Sequence, residues 1–532
     1  MADEPIVRRC TGSRLRAVAF VALVGVLGLA FQGTRGIWSP DEGYHAVIAK
    51  TMLETGDWLI PHVDLQVWFD KPPLSHWAMA AGMALLGINE WGARFSHAIW
   101  YGLTTLLVFV LGRDLWGDRT GRAAAVLYAT MLLPFVAANV LTPDTPLTFW
   151  TTASMVAFWR AQKKTSSHAG GWKVALGIAL ALGVWTKGPA ALIPTAGMLL
   201  FLALSGSLGS FFLSWGLVLG GIAFLTIGLA WYVDVGTTLP GALQYLWENH
   251  VVGRLVSESY QRNPGLAGAF QVYAPVLLVG TLPGSLVFWL TIRRNVRTLF
   301  ERSFWRRLRR SPEELLMVCW IAVPSAVLAV ASSKLPLYVL PVFPAVALVC
   351  ARMTQRESDL CRVPLSWLGL PRRLSPVLAG WVIVLLVLKA TGSMVSHNRD
   401  MRQLARALGE VVPAQTYEIV CVELRCEGLA FYLGDAVERV TTKEKAYPVF
   451  GGTESVGEEL SELPNAKHNH VIVYDTIRAN RVRKELEPYA DVCSSTPVSL
   501  PHDRFALVCN ALEKVAPSIS PERHQEGLEA PG

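Results

Sequence analysis

The sequence predicts an all-α polytopic membrane protein, with about eleven transmembrane helices (roughly 11–13) and a small soluble α/β domain at its C-terminal end. Three observations predict it. Of 532 residues, 52% are hydrophobic and only 17% charged, at a mean hydropathy of +0.36, whereas a soluble protein carries about 25% charge. Apolar runs long enough to span a bilayer, about 17–25 residues, recur along the first three quarters of the chain. By count, residues 1–396 hold 33 Lys+Arg and 20 Asp+Glu, net +13, while residues 397–532 hold 15 and 21, net −6. Too little polar surface remains to cover a soluble multidomain enzyme or to keep a chain disordered.

The expected spans lie near 16–32, 94–112, 121–138, 144–160, 172–186, 190–205, 210–232, 267–291, 313–331, 338–351 and 375–394. Arg8, Arg9, Arg14 and Arg16 precede the first, and Gly28-Leu29-Ala30 faintly resembles a signal cleavage site. The long apolar stretch and the spans that follow favour an uncleaved anchor. With the N-terminus cytoplasmic, the segments 1–16, 113–122, 160–173, 206–209, 292–312 and 352–374 hold 24 basic residues by count, against 7 in 33–93, 139–143, 187–189, 233–266 and 332–337. Basic residues accumulate on the cytoplasmic side, so this asymmetry sets the expected orientation. Eight arginines between Arg293 and Arg310 read as a topology anchor at anionic headgroups. The net charge of +7 is therefore a matter of topology, and no nucleic-acid partner is expected.

An odd number of spans puts residues 397–514 outside as an α/β domain and leaves 515–532, rich in Pro, Glu and Gly, as a disordered tail. Tyr417–Val422 and Val471–Tyr474 read as strands, and Arg402–Val411 and Thr476–Glu487 as helices. Cys421, Cys426, Cys493 and Cys509 fall in this domain, where an oxidising compartment permits two disulfides in any of three connectivities.

Chemistry concentrates in the outside loops of the 1–396 membrane domain. The first, 33–93, carries Trp38-Ser-Pro-Asp-Glu-Gly-Tyr-His45, Glu54-Thr-Gly-Asp-Trp58, Trp68-Phe-Asp-Lys-Pro-Pro-Leu74 and Asn89-Glu90-Trp-Gly-Ala-Arg94. Pro40-Asp41-Glu42 before an apolar run puts Asp41 at a helix N-terminus, where orphan N–H groups favour an ionised carboxylate. The other loops present Asp144, Lys187, His250 with Arg254, and Lys334 with Tyr338. Charges beside hydrocarbon are costly unless paired or functional. Cations and a tyrosine suit a phosphate at headgroup height, and a carboxylate suits a base or an oxocarbenium-like sugar centre.

These residues carry a resemblance. In order, Asp41-Glu42, Thr55-Gly-Asp-Trp58 with Pro61, Asp70-Lys-Pro-Pro-Leu74, Asn89-Glu90 with Arg94, Thr142-Pro-Asp144, Thr186-Lys-Gly-Pro189 and Ser333-Lys-Leu-Pro-Leu-Tyr338 with Pro341 resemble bacterial membrane glycosyltransferases of the lipid A aminoarabinose transferase and protein O-mannosyltransferase group. The resemblance spans about residues 15–350 and implies the GT-C fold in a bacterial inner membrane. It implies transfer of a sugar from a polyprenyl (undecaprenyl) phosphate carrier to a periplasmic acceptor such as lipid A, another envelope glycan or a protein. In this resemblance Asp41 and Asp144 are catalytic. Glu42, Lys71, Arg254, Tyr338, Lys187 and Lys334 bind substrate, and Asp70 and His250 fall near a divalent metal held by some members; the metal stays open. Gly43-Tyr44-His45 departs from the Thr-Arg-Tyr of the aminoarabinose branch, which leaves sugar and acceptor open. The competing class is a transporter or flippase of lipid-linked sugars, which would place its polar residues near the midplane, often in repeated halves; no repeat is present and the acids lie in outside loops.

Overall fold

The computed structural model describes residues 18–434, apart from 64–65, 70, 164–167, 253–261, most of 287–307, 363, 393, 396 and 412–416, and then 437–440, 469–489, 493–494 and 496–509. The described residues divide into two compact units, one up to Arg402 and one from Gln403 onward. Residues 441–468 and 510–532, including the expected tail, lie outside the described residues.

In the first unit, α1 (Val18–Leu29) leads into the first long loop, which contains α2 (Asp41–Thr55), a hairpin of the two-residue strands β1 (His62–Val63) and β2 (Gln66–Val67), and α3 (Leu74–Leu86). The membrane helices follow: α4 (Glu90–Trp116), α5 (Asp118–Thr130), α6 (Leu132–Ala137), α7 (Asp144–Ala161), α8 (Ala169–Lys187) and α9 (Ile193–Leu204). After the short α10 (Leu208–Phe212) come α11 (Trp215–Thr238), α12 (Ala242–Tyr245), α13 (Gly265–Val279), α14 (Pro312–Val330), α15 (Phe343–Cys361) and α16 (Ser375–Thr391). Among the described residues, six helical runs are long and apolar enough to cross a membrane, with three shorter apolar helices beside them. The expected span 121–138 is two helices, α5 and α6, broken at Met131, whose backbone is extended. The expected pair 172–186 and 190–205 is a helical run interrupted at Gly188. Gly188 takes φ +66°, and a Cβ there would press on the Tyr232 hydroxyl at 3.3 Å; glycine is the residue that adopts this backbone without strain.

Local chemistry explains the helix ends. Asn89 caps α4 by accepting a hydrogen bond from the Gly92 N–H at 2.9 Å, and proline opens α14 and sits in the first turn of α15 and α16, where its missing N–H costs nothing. Small residues let helices touch, as lipid-embedded helices require. A Cβ on Gly112 would come within 2.9 Å of Gly121 Cα, closing α4 on α5, and one on Gly177 within 1.9 Å of the Gly220 carbonyl, closing α8 on α11. The core, with Tyr101, Tyr128, Phe158, Trp320 and Phe343, lies among α4, α5, α7, α9, α14 and α15. Many side chains of α11 and α16 face outward, including Leu219, Ile222, Ile383 and Val387, the face expected toward lipid.

The second unit is a five-stranded mixed sheet of order β4-β3-β5-β7-β6, where β3 is Tyr417–Val422, β4 Val437–Val440, β5 Asn469–Asp475, β6 Val498–Leu500 and β7 Arg504–Cys509. β3 runs parallel to β4 and β5, and β7 antiparallel to β5 and β6. β3 and β5 are the two strands expected from sequence. The disulfides pair Cys421 with Cys426 and Cys493 with Cys509.

Candidate functional site

Asp41 and Glu42, adjacent in the first turn of α2, have different environments. Asp41 is exposed at a helix end whose N–H groups favour an anion. Glu42 is 2% exposed. Its carboxylate accepts two hydrogen bonds from Arg35, at 2.5 and 2.8 Å, three from Arg94 at 3.1–3.4 Å, and one each from the N–H groups of Trp38 and Leu141 at 3.0 Å. Burial pushes the Glu42 carboxyl up, but the charges and hydrogen bonds of Arg35 and Arg94 outweigh it and hold the group at about 2, below the usual carboxylate range. Glu42, expected from sequence among the substrate-binding residues, has its oxygens occupied by these internal donors.

Arg94, buried in the first turns of α4, also donates to the carbonyls of Gln32, Arg35 and Gly36 at 2.7–3.0 Å. Arg35 donates to the Asn139 carbonyl at 2.7 Å and lies over the Trp38 ring, 4.4 Å from its centroid. The segment after the last span closes on the same loop: the Ser39 N–H donates to the Arg399 carbonyl at 2.9 Å, and Arg402 donates to Glu90 at 2.6 Å and to the Gly33 carbonyl at 2.9 Å. This carries the first unit a few residues past the expected boundary at 396. Through the Leu141 N–H, Glu42 ties the start of α2 to the loop that ends in Asp144. His97 adds a second tie, its Nε2 lying 3.2 Å from the Thr142 N–H and 2.9 Å from the Thr142 carbonyl oxygen.

Asp144 begins α7, and Lys187 ends α8, the two helices packing along their length. They form an ion pair with side chains 6% and 8% exposed, and the Lys187 ammonium sits 4.4 Å from the centre of the half-buried Tyr338 ring. Three expected site residues are thus in contact. Tyr273, from α13, lies within electrostatic reach of Tyr338 and Asp144, is 7% exposed, and its hydroxyl has no hydrogen-bond partner among the described residues. Lys71 is 9% exposed just before α3, and the Ser75 hydroxyl of α3 donates to the Thr186 carbonyl at 3.5 Å, which brings the Lys71 segment to the C-terminal end of α8.

Lys334 is fully buried and its ammonium donates to the Ala331 carbonyl at 2.6 Å, a backbone strap rather than an open cation. Asp70 and Arg254 lie outside the described residues, and His250 falls in a π-helical turn, Leu246–Val252, with its side chain outside them. Among the described residues no group of three or more His, Cys, Asp or Glu is arranged to hold a metal ion. Sequence reasoning missed Arg35, His97 and Tyr273. The one signal for them was a polar side chain at or inside an apolar span, which by itself names no partner.

The described residues have the polytopic GT-C membrane fold: it is that of ArnT from Cupriavidus metallidurans solved with undecaprenyl phosphate, with a TM-score of 0.73 at 18% identity, covering 94% of this chain and 99% of that one. The same protein in its apo state matches at 0.72. Residues 13–246 match the family model described as dolichyl-phosphate-mannose-protein mannosyltransferase. An undecaprenyl phosphate-alpha-4-amino-4-deoxy-L-arabinose arabinosyl transferase from Pectobacterium carotovorum is 31% identical over 67% of this chain and 63% of its own length. The protein of that name from Edwardsiella ictaluri is 30% identical over 67% of this chain and 62% of its own. The chain thus spans less than two thirds of the length of these curated relatives. The resemblance read from the seven motifs is borne out.

Proposed function

We propose that this chain is an integral membrane glycosyltransferase that moves a sugar from an undecaprenyl phosphate carrier to an acceptor on the outer face of a bacterial inner membrane. The observation that carries the reading is the Asp144–Lys187–Tyr338 cluster, on helix ends tied through Glu42 to the segment bearing Asp41, in a chain similar to arabinosyl transferases. In this reading residues 1–396 form the catalytic domain, residues 397–514 a periplasmic α/β domain, and the N-terminus is cytoplasmic. The distribution of arginine and lysine supports that orientation. The relatives are named for transfer, which disfavours a transporter.

The chemistry follows from the groups. The bond between the anomeric carbon and the carrier phosphate oxygen breaks, its electron pair passing to the phosphate, while an acceptor oxygen bonds to the oxocarbenium-like carbon. Lys71, Lys187 and Arg254, with the Tyr338 hydroxyl, stabilise charge on the leaving phosphate. Asp144 faces the sugar and keeps Lys187 oriented. Asp41 accepts the proton of a hydroxyl acceptor; with a phosphate acceptor, as in the lipid A branch, it positions the nucleophile. Asp70 and His250 are the residues that would meet a divalent metal, and no step here requires one.

The test pairs two measurements. Mass spectrometry of lipid A and envelope glycoconjugates from cells with and without the gene should find a sugar-sized mass lost; no loss anywhere would return the transporter. With that donor and acceptor in hand, Asp41→Asn should abolish transfer in properly inserted protein, and Lys71→Ala should raise KM for the lipid-phosphate donor more than it disturbs insertion. Full activity in Asp41→Asn would remove Asp41 from the chemistry.

A further inference from the structure

The other ends of the same membrane helices carry a second feature. From Glu90, beside the site, α4 runs 27 residues to Trp116, about 40 Å at 1.5 Å per residue, which exceeds a hydrocarbon core of about 30 Å. At this far end the turn between α4 and α5, the last turn of α15 and the loop leading into α16 border an open cavity of about 760 Å³. Its wall includes Arg119, Arg122, Arg362, Arg372, Ser366 and Trp367, and Asp359 is the single acid among its lining residues.

The wall is built rather than accidental. Leu365 pairs with Pro371 across a tight hairpin, the Ser366 N–H donates to the Leu370 carbonyl at 2.7 Å, and Gln355 reaches the Gly369 carbonyl. Gly369, at φ +79°, seats the hairpin on α5 so closely that a Cβ would lie 2.3 Å from the Arg119 carbonyl. Arg122 pairs with Asp118. Arg119, Arg362 and Arg372 make no ion pair among the described residues. The Arg122 Nε and the Ser366 hydroxyl are buried without a hydrogen-bond partner there. With Arg122 paired to Asp118, the guanidinium groups of Arg119, Arg362 and Arg372 still gather around one cavity, and Asp359 alone does not balance them. An anion with several acceptor oxygens would balance such a cluster, and the forked guanidinium geometry matches phosphate. The cavity's place at the ends of three spans puts that anion at headgroup height on the face opposite the site.

We infer that this arginine-lined cavity binds a phosphate ester anion at the membrane surface opposite the transferase site. The headgroup of an anionic phospholipid and a soluble phosphate share this chemistry. The cavity shares no residue with the site, so its test is independent of transfer.

The experiment uses the full chain in detergent, its fold checked by circular dichroism, with lipid retention read by native mass spectrometry. Wild type should retain phosphatidylglycerol in preference to phosphatidylcholine. Arg119→Gln/Arg372→Gln should weaken that retention about tenfold or more, whereas Arg309→Gln/Arg310→Gln, exposed arginines outside the cavity, should leave it unchanged. Asp359→Asn, on an exposed residue, should strengthen it, which keeps the test open if the double variant fails to fold. Displacement of the lipid by inorganic phosphate would assign the cavity to a soluble phosphate, and its persistence would assign the lipid headgroup. Equal retention of the two lipids with no phosphate binding, or identical retention in wild type and both cavity variants, would overturn the inference.

Discussion

Arg94 Nη2 lies 3.1 Å from a carboxylate oxygen of Glu42, fifty-two residues away in sequence, and both side chains are sealed from solvent. The pair closes the base of the first long loop onto α4, and Arg35 completes it. Removing one partner of such a group strands the remaining charges in a low dielectric, which costs about 3–5 kcal/mol. Glu42→Gln should therefore lower the unfolding temperature of the detergent-solubilised protein and lose transfer only in step with folding. Unchanged stability with transfer lost would put Glu42 back among the substrate-binding groups.

The same carboxylate sets a dependence on pH. Its folded value, about 2, lies below the ordinary 4.5, so the unfolded chain binds the proton more readily. The stabilisation is fully present above pH 4.5 and is lost as the pH falls toward and through 2. Wild type should lose stability across that window more steeply than Glu42→Gln, as followed by acid titration of tryptophan fluorescence. Parallel curves would show that Glu42 does not couple folding to protons there.

Asp144 and Lys187 separate structure from chemistry. Asp144→Asn alone leaves the Lys187 ammonium without its partner in a buried site and should destabilise by about 3 kcal/mol or more. Asp144→Asn/Lys187→Met removes both charges and should regain much of that stability, because replacing a buried pair with apolar groups is often close to neutral. The double variant should stay inactive. Recovery of transfer along with stability would make the pair a helix clamp and nothing else.

The disulfide pattern is testable by peptide mapping without reduction, which should recover Cys421 joined to Cys426 and Cys493 joined to Cys509. The second closes a 16-residue separation, for which loop-closure entropy predicts about 3 kcal/mol. Cys493→Ser/Cys509→Ser should lower the melting temperature of the sheet unit while leaving the membrane helices folded. Any other pairing would refute the fold described for that unit.

Much of the architecture was legible because its causes are local. The membrane spans follow from runs of apolar residues, since every backbone polar group in lipid must be satisfied within its own helix. Strands β3 and β5 were legible from β-branched runs, and Asp41 was legible as the opening of α2 from Pro40 before an apolar stretch. The break at Met131 and the strands β4, β6 and β7 were not, being short segments whose apolar pattern does not distinguish strand from helix or loop.

The site divides in the same way. Asp41, Lys71, Asp144, Lys187 and Tyr338 stood out in the sequence because charged and aromatic groups at the ends of apolar runs demand a reason. That Lys187 pairs with Asp144 under the Tyr338 ring, that Glu42 turns inward while Asp41 faces out, and that Lys334 is a strap were decided only by tertiary structure. Arg119, Arg362 and Arg372 read in sequence as topology signals, and only the packed hairpin on α5 collects them into a cavity. Hydropathy and helix signals act over a few residues and are written in order along the chain. Partnership between charges is a Coulomb and desolvation balance over a few ångströms, and residues 43, 52 or 99 positions apart reach that distance only after the helices have packed.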